Sequence, residues 1–529
     1  MKPTLSLRKL TMFGHRIFGL ILISFVSSVF VQPAQSAEKL NVIVLLVDDM
    51  GWTDLGYCGS DLYETPNIDR LAATGMRFTN AYAACTVCSP TRVAILTGQS
   101  PARVNVTDFI PGHRLENLPQ QIPDWTQKLE HRHLTIAEIL KEHGYRTAHV
   151  GKWHLTPRIA TNDVNSDGNF PEFYPQSQGF DVNIGGNEAG APRSYFWPYG
   201  RGKGDARKQN NLFATLPDSK ENYPEGTYLT DQLTDEAVKF IEQSTAKGSP
   251  FFLYFAYYNV HTPLQAKPEL VEHYKTKLKD HPTDQRHTNP VYAAMVHSVD
   301  DSVGRLVKTL QDQGVDKNTL IIFTSDNGGL TGAKGRPPVT SNLPLRQGKG
   351  SIYEGGVRVP AFVSWPGKTK SNQSSSEPII SMDVLPTILE ATNVEVPAQL
   401  KPLIDGVSLV PLLTQKNSSL AKRNLYWHYP HYHMMGAIPY SAVRSGDWKL
   451  IEFFDERPSE LYNLQDDIHE DRNLASENRE IAKQLHNELE TWRKKVDAQA
   501  TQPNPDYNPN RPTGRKSGKK VNPQQPLRE

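Results

Sequence analysis

The chain has 529 residues, of which 37% are hydrophobic and 22% charged, and its formal net charge is +1. This length admits two or more domains and a large core, and the composition is that of a soluble globular protein. The near-neutral balance excludes the strongly basic surface that points to nucleic acid or an anionic membrane.

Arg8, Lys9 and Arg16 precede an apolar run at 17–31, and a small-residue stretch, PAQSA (33–37), follows. This pattern predicts a signal peptide over residues 1–37, cleaved after Ser36 or Ala37. The run is shorter than the roughly 20 residues a spanning helix needs, so no stable membrane anchor is expected. No cysteine follows the run, so lipid attachment is not expected either. The mature chain is expected in the periplasm or outside the cell.

Beyond it, Asn41–Val47 is a continuous β-branched and aliphatic run, as in a strand buried on both faces of a parallel sheet. It stops at Asp48 and Asp49. In ETPNIDRLAATG (64–75), Thr65 is the expected N-cap, Pro66 the first helical residue and Gly75 the end. LTIAEILKEHGYRTAHVGKWHL (134–155) repeats the scheme: Thr135 and Glu138 form a capping box, Gly144 closes the helix, and a strand runs to Lys152 and His154. Residues 233–243 read as a helix, 250–263 as a strand ending at His261, 290–314 as a long helix, and 318–329 as a strand ending at Asp326 and Asn327.

This alternation predicts an α/β domain over 38–415, a large mixed and mostly parallel sheet sandwiched by helices, with its ligand site beyond the carboxyl ends of the strands. Over 416–498 the pattern changes to short antiparallel strands and an amphipathic helix with Ile481, Leu485, Leu489 and Trp492 on one face, a smaller C-terminal α+β subdomain. Residues 499–529, rich in Pro, Asn and Lys, have almost nothing to bury and are expected to be disordered.

Three cysteines in a chain of this size are no disulfide framework, and they lack the number and spacing of a structural zinc site. Whether Cys58 pairs with Cys85 is left open. Cys88, in CSPTR (88–92), is one candidate nucleophile among several. Asp48, Asp49, Asp326 and Asn327 offer only oxygen ligands, a set suited to Ca²⁺ or, less well, Mg²⁺. Two unrelated cap-and-turn pairs would read the same way. Lys152, His154, His261 and Lys349 are the cations and imidazoles that holding an anionic ester and protonating its leaving group require. Taken singly, each also reads as a surface lysine or a core-edge histidine.

CSPTR matches the Cys-x-Pro-x-Arg signature of the type I sulfatases, in the alkaline phosphatase superfamily. The segments VDDMG (47–51), ETPNIDRLAATG (64–75), GYRTAHVGKWHL (144–155), QGFD (178–181), HTP (261–263), TSDNGG (324–329), GKG (348–350) and YEGGVRVP (353–360) resemble the family's other landmarks in order, and ELYNLQDDIHEDRNLA (460–475) its C-terminal subdomain. The resemblance covers about 40–497. It implies that Cys88 is oxidised to Cα-formylglycine by a formylglycine-generating or anaerobic sulfatase-maturating enzyme. The hydrated aldehyde would attack sulfur with one hydroxyl and expel sulfate with the other. It further implies that Asp48, Asp49, Asp326, Asn327 and the modified Cys88 bind Ca²⁺, and that Arg92 bonds the diol and the carboxylates. Lys152 and Lys349 would clamp sulfate oxygens, Lys349 and His261 would protonate the leaving alcohol, and His154 would take a diol proton. Cys85 lacks the proline two residues on and reads as structural. As a loop thiol facing solvent, Cys88 is expected to tolerate replacement by Ala without loss of fold.

The resemblance implies a sulfated saccharide as substrate, with exo action on 4-O-sulfated galactose or N-acetylgalactosamine as the expectation. Residues 98–129 resemble an insertion of bacterial carbohydrate sulfatases. Asp124, Trp125, His431 and His433 are candidate sugar contacts, each also readable as packing. The competing functions are a phosphate or phosphonate monoester hydrolase of the same superfamily and a non-catalytic sulfoglycan-binding protein.

Overall fold

The run Asn41–Val47 is strand β1, and all of its residues are buried. In the computed structural model, residues 39–515 are described except 114, 158–169, 204–212, 214–215, 217–222, 281–285, 333–337, 416–417 and 456. The expected signal peptide and the last residues of the expected tail, 516–529, lie outside the described residues.

Strands β2 (Met76–Phe78), β3 (Arg146–Gly151), β4 (Val182–Ile184), β5 (Phe251–Ala256), β6 (Thr319–Ser325), β7 (Ala361–Ser364) and β8 (Gln373–Ser375) join β1 in an eight-stranded sheet of order β8-β2-β7-β6-β1-β5-β3-β4. The five strands from β6 to β4 run parallel, and β7 is antiparallel to both its neighbours. Side chains alternate between the faces of a strand, and both faces are covered. Ile43, Leu45 and Val47 join Leu253 and Phe255 in one core, with the long helices Leu229–Ala246 and Pro290–Asp312. Val42, Val44 and Leu46 join Phe252 and Tyr254 in a second core on the opposite face. Truncating one of these fully buried residues, Leu45 for example, costs about 2–5 kcal/mol.

The capping box at Thr135 and Glu138 is present. Thr65 departs from expectation: its hydroxyl does not cap the helix Pro66–Ala73 but accepts from Gly56 N–H and donates to Asp69. Among the described residues no helix is long and apolar enough to cross a membrane.

The C-terminal sheet is an antiparallel meander of β9 (Asn424–Tyr429), β10 (Tyr440–Ser445), β11 (Trp448–Phe453) and β12 (Glu460–Asn463). One face, with Leu425, Trp427 and Tyr429, packs on Cys85, Val87, Ile352 and Val357. The other carries Val443, Leu450 and Leu461 against Leu485, Leu489 and Trp492 of the helix Arg479–Val496, the apolar stripe the sequence marks. The subdomain thus braces the segments that flank Cys88 and Lys349.

The question left open at Cys58 and Cys85 is answered: they do not pair, and all three thiols are free. One expectation needs correction. Residues 499–515 are not structureless: Gln502–Pro503 pairs with Gln120–Gln121, and Gly514–Arg515 with Leu115–Glu116. It docks through backbone and asparagine hydrogen bonds, which a hydrophobicity reading does not register.

Candidate active site

Strands β1 and β6 are neighbours with Val47 opposite Ser325. That register sets Asp48 and Asp49 beside Asp326 and Asn327, all four at most 1% exposed. On the other flank, Asp48 N–H donates to Asn259 O and its carbonyl accepts from Val260 N–H, which draws the chain after β5 toward the site. Lys152 follows β3 and His261 follows β5, so four parallel strands deliver the cluster from one edge.

Cys88 is the first residue of the buried helix Cys88–Thr97, not a solvent-facing loop residue as expected. Its thiol and the carboxylates of Asp48 and Asp326 bring ligand atoms within 4.8 Å of one another. Arg92 lies one turn on, hence on the same helix face. Its Nε and Nη2 donate to Asp326 Oδ2 at 3.0 and 2.7 Å, and Nη1 to the Lys152 carbonyl at 2.7 Å. Lys152 Nζ donates to Asp48 Oδ2 at 2.7 Å, and Lys349 Nζ to Asp49 Oδ2 at 2.8 Å. His261 Nε2 stands 3.7 Å from that same Asp49 oxygen. Asn327 Nδ2 donates to Asp49 Oδ1 at 2.8 Å.

Burial by itself would raise the Asp49 carboxyl, but Lys349, His261 and Lys152 overcome it and hold the group well below the usual carboxylate range. Burial pushes the Cys88 thiol up to about 12, so the unmodified side chain is a neutral thiol at neutral pH. His154 is held well below its ordinary value by burial and by Lys152, and is neutral. Its Nε2 lies 2.6 Å from the Ile110 carbonyl and donates to it, while buried Nδ1 has no hydrogen-bond partner among the described residues. The imidazole is gripped from the other side too, since a Cβ on Gly190 would stand 2.7 Å from the ring.

The donor set fits a hard cation. Three carboxylates and a carboxamide converge, and two buried acceptors, Asp48 Oδ1 and Asn327 Oδ1, have no hydrogen-bond donor among the described residues.

The expected sugar contacts divide. His433 packs at 4.5 Å on His113, and its surroundings include Lys349 and Asp49. His431 is buried, 2.8 Å from the Thr107 hydroxyl and edge-on to Trp125, so it supports a wall rather than forming a surface. Asp124 is exposed and takes no part in this network. Ser89, Ile110 and Gly190 were not read as site residues. Ser89 Oγ donates to the His154 carbonyl and accepts from Ile110 N–H. A carbonyl, a hydroxyl and a missing side chain carry no residue-type signal for this task.

The family model described as sulfatase matches residues 40–394, and one described as N-sulphoglucosamine sulphohydrolase, C-terminal, matches 347–495. A sulfatase of Formosa agariphila is 32% identical, covering 90% of this chain and 92% of its own. The N-acetylgalactosamine-6-sulfatase of Mus musculus is 34% identical, covering 77% and 72%. The crystal structure of Ps i-CgsB aligns at a TM-score of 0.70 and 31% identity over 89% of this chain and 95% of that one. A phosphonate monoester hydrolase of Agrobacterium radiobacter shares the fold, at 19% identity and a TM-score of 0.60 over 88% and 97%. Matching the family model over two thirds of its length, and carrying a buried polar cluster at the strand ends where its motifs lie, this chain belongs to the sulfatase family.

Proposed function

We propose that the protein is an exported hydrolase that removes O-sulfate from a galacto-configured saccharide, using Cα-formylglycine made from Cys88. The observation that supports this best is the convergence of Cys88, Asp48 and Asp326 with Arg92 and Lys152 in one buried cluster. A thiol pushed up to about 12 is a poor nucleophile at neutral pH, which favours a modified side chain. The hydrated aldehyde supplies one hydroxyl to attack sulfur and a second to release sulfate.

Asp48, Asp49, Asp326 and Asn327 would hold Ca²⁺, which supplies charge neutralisation and acidification of a bound hydroxyl. Around it the chain's own groups divide the work. Lys152 and Lys349 hold sulfate oxygens. Arg92 holds Asp326 in place through two hydrogen bonds to one carboxylate oxygen. His154, with its proton fixed on Nε2 by the Ile110 carbonyl, receives a proton at Nδ1. His261 and Lys349 deliver a proton to the leaving alcohol. A formylglycine-generating or anaerobic maturating enzyme is the required partner, and the signal sequence directs the protein to the periplasm or beyond.

The sulfate is read as 4-O on a terminal galactose or N-acetylgalactosamine. A 6-O position is the second reading, favoured by the N-acetylgalactosamine-6-sulfatase relatives. A crystal structure of the similar Ps i-CgsB with a neocarrahexaose, at 31% identity, supports a galactan-type saccharide. The test is sulfate release by purified, matured enzyme from singly sulfated 4-O and 6-O galactose and N-acetylgalactosamine, beside matched phosphate esters. Sulfate release with mass-spectrometric loss of the Cys88 thiol is expected. Faster phosphate turnover, or full turnover by an unmodified thiol, overturns the proposal.

A further inference from the structure

Within the insertion-like segment 98–129, residues 105–129 touch the catalytic cluster at their base. Ile110 accepts from His154 Nε2, Thr107 bonds His431, and Asp108 accepts from Tyr429 OH at 2.8 Å. Phe109 and His113 pack their rings on His433. Thr126 N–H donates to Asn105 O, which closes the base of the insertion.

Its tip, 115–121, is held differently. Gln120–Gln121 and Leu115–Glu116 pair with the chain's C-terminal segment, at Gln502–Pro503 and Gly514–Arg515. Asn504 N–H donates to Pro119 O at 2.9 Å, and Asn504 Nδ2 to Leu118 O at 2.8 Å. Between these ladders Asn117 sits in the left-handed region, φ 55°, which asparagine tolerates. Its Nδ2 donates to Asn508 O at 2.9 Å and to Arg511 O at 2.6 Å. Its Oδ1 accepts from Asn508 N–H at 2.9 Å, and its carbonyl from Thr513 Oγ1 at 3.1 Å. From the folded subdomain comes one further bond, Gln120 N–H to Tyr432 OH. A two-residue ladder is far too short to persist alone, so the tip depends on the segment that grips it.

We propose that residues 499–515 are a strap, latched through Asn117 and Asn504, that positions the 105–129 wall and thereby governs recognition of the saccharide beyond the sulfate. The identification of this wall as the sugar side rests on the functional reading above. The strap's contacts are with the 115–121 tip and not with Ile110 at the base, which has its own hold on His154, so its loss acts on saccharide binding and spares the chemical step. Asn117 is a positioning residue.

The test uses full-length, matured enzyme with Asn117→Gly, which keeps the backbone conformation and removes the latch, and Asn504→Ala. Both are assayed on a sulfated galactose oligosaccharide and on a small aryl sulfate, with amide hydrogen exchange followed over 105–129. KM for the oligosaccharide is expected to rise about tenfold with kcat little changed, while kcat/KM for the aryl sulfate stays within about twofold. Exchange over 115–121 is expected to speed up in both variants. Equal losses on both substrates, or faster exchange with an unaltered oligosaccharide KM, overturn the specificity role. If the unmutated enzyme hydrolyses neither ester, the functional reading fails, and unchanged exchange in both variants then overturns the strap as well.

Discussion

Two buried charge clusters lie on either side of the loop that carries Lys349. At the ends of β1 and β6, Asp48, Asp49 and Asp326 face Arg92, Lys152 and Lys349. At the junction with the C-terminal subdomain, buried Lys449 stands 2.9 Å from both Glu354 Oε1 and Glu470 Oε1. Glu354 Oε2 accepts from Tyr82 OH at 2.6 Å, and Glu470 Oε2 from Glu354 N–H at 2.6 Å. Apart from the partly exposed Lys349 both clusters are buried, so burial does not tell them apart. The first leaves two acceptors without a hydrogen-bond donor and sets a thiol beside its carboxylates. In the second, Glu470 Oε1 also lacks an aligned hydrogen-bond donor but is ion-paired with Lys449 at 2.9 Å, whereas the Arg92 guanidinium stands 3.7 Å from Asp48 Oδ1. Acceptors left without a close cation or donor mark a site for a ligand, and carboxylates closely paired with a buried lysine mark a joint.

The sharpest way to break this comparison is Cys88→Ala. Sulfate release is expected to fall by on the order of 10⁴-fold or more, with a cost in unfolding free energy near 1 kcal/mol. A variant that kept measurable turnover would remove Cys88 from the chemistry. Asp326→Asn comes next: calorimetry should show lost Ca²⁺ affinity, with a rate loss of about 10³-fold because metal and Arg92 alignment go together. Retained Ca²⁺ binding in that variant would move the metal elsewhere. Lys449→Met should show the reverse pattern. It strands two buried carboxylates and is expected to cost about 3–5 kcal/mol in denaturant unfolding, while kcat of the folded enzyme is unchanged. A large kcat loss with intact stability would make the joint part of the site.

Asp108 sharpens the contrast from a third direction, as a buried carboxyl whose partners are Tyr429 OH and the Phe109 amide. Burial pushes it up to about 7 from an ordinary 3.8. The unfolded chain then loses its proton first as pH rises. Stability carried by the protonated form is complete below pH 4 and is lost by pH 7, on the order of 4 kcal/mol at most. Asp108→Asn should flatten unfolding free energy against pH across that window, and an unchanged profile would discard the assignment. The smallest effect is expected at Gly190→Ala, where the added methyl meets the His154 ring and kcat should fall about tenfold with Ca²⁺ affinity intact.

Much of this was legible in the sequence for a physical reason. A strand buried on both faces must be continuously apolar, so Asn41–Val47 and Thr319–Ser325 announce themselves, and acids at their ends stand out. Cys88 and Arg92 share a helix face because they are four residues apart. His431 reads in the sequence like His433, yet Thr107 and Trp125 bury it, and that depends on an insertion three hundred residues earlier.

By itself, then, the sequence determined the strands and helices and the oxygen-only donor set, because these follow from local periodicity and side-chain chemistry, while the modification proposed at Cys88 rests on the resemblance of CSPTR to the sulfatase signature. Only the tertiary structure decided the register that puts Val47 opposite Ser325, the carbonyl that holds the proton of His154, and the docking of 499–515 on the insertion. Those depend on hydrogen bonds between backbone segments hundreds of residues apart, and backbone amides and carbonyls are the same in every residue type.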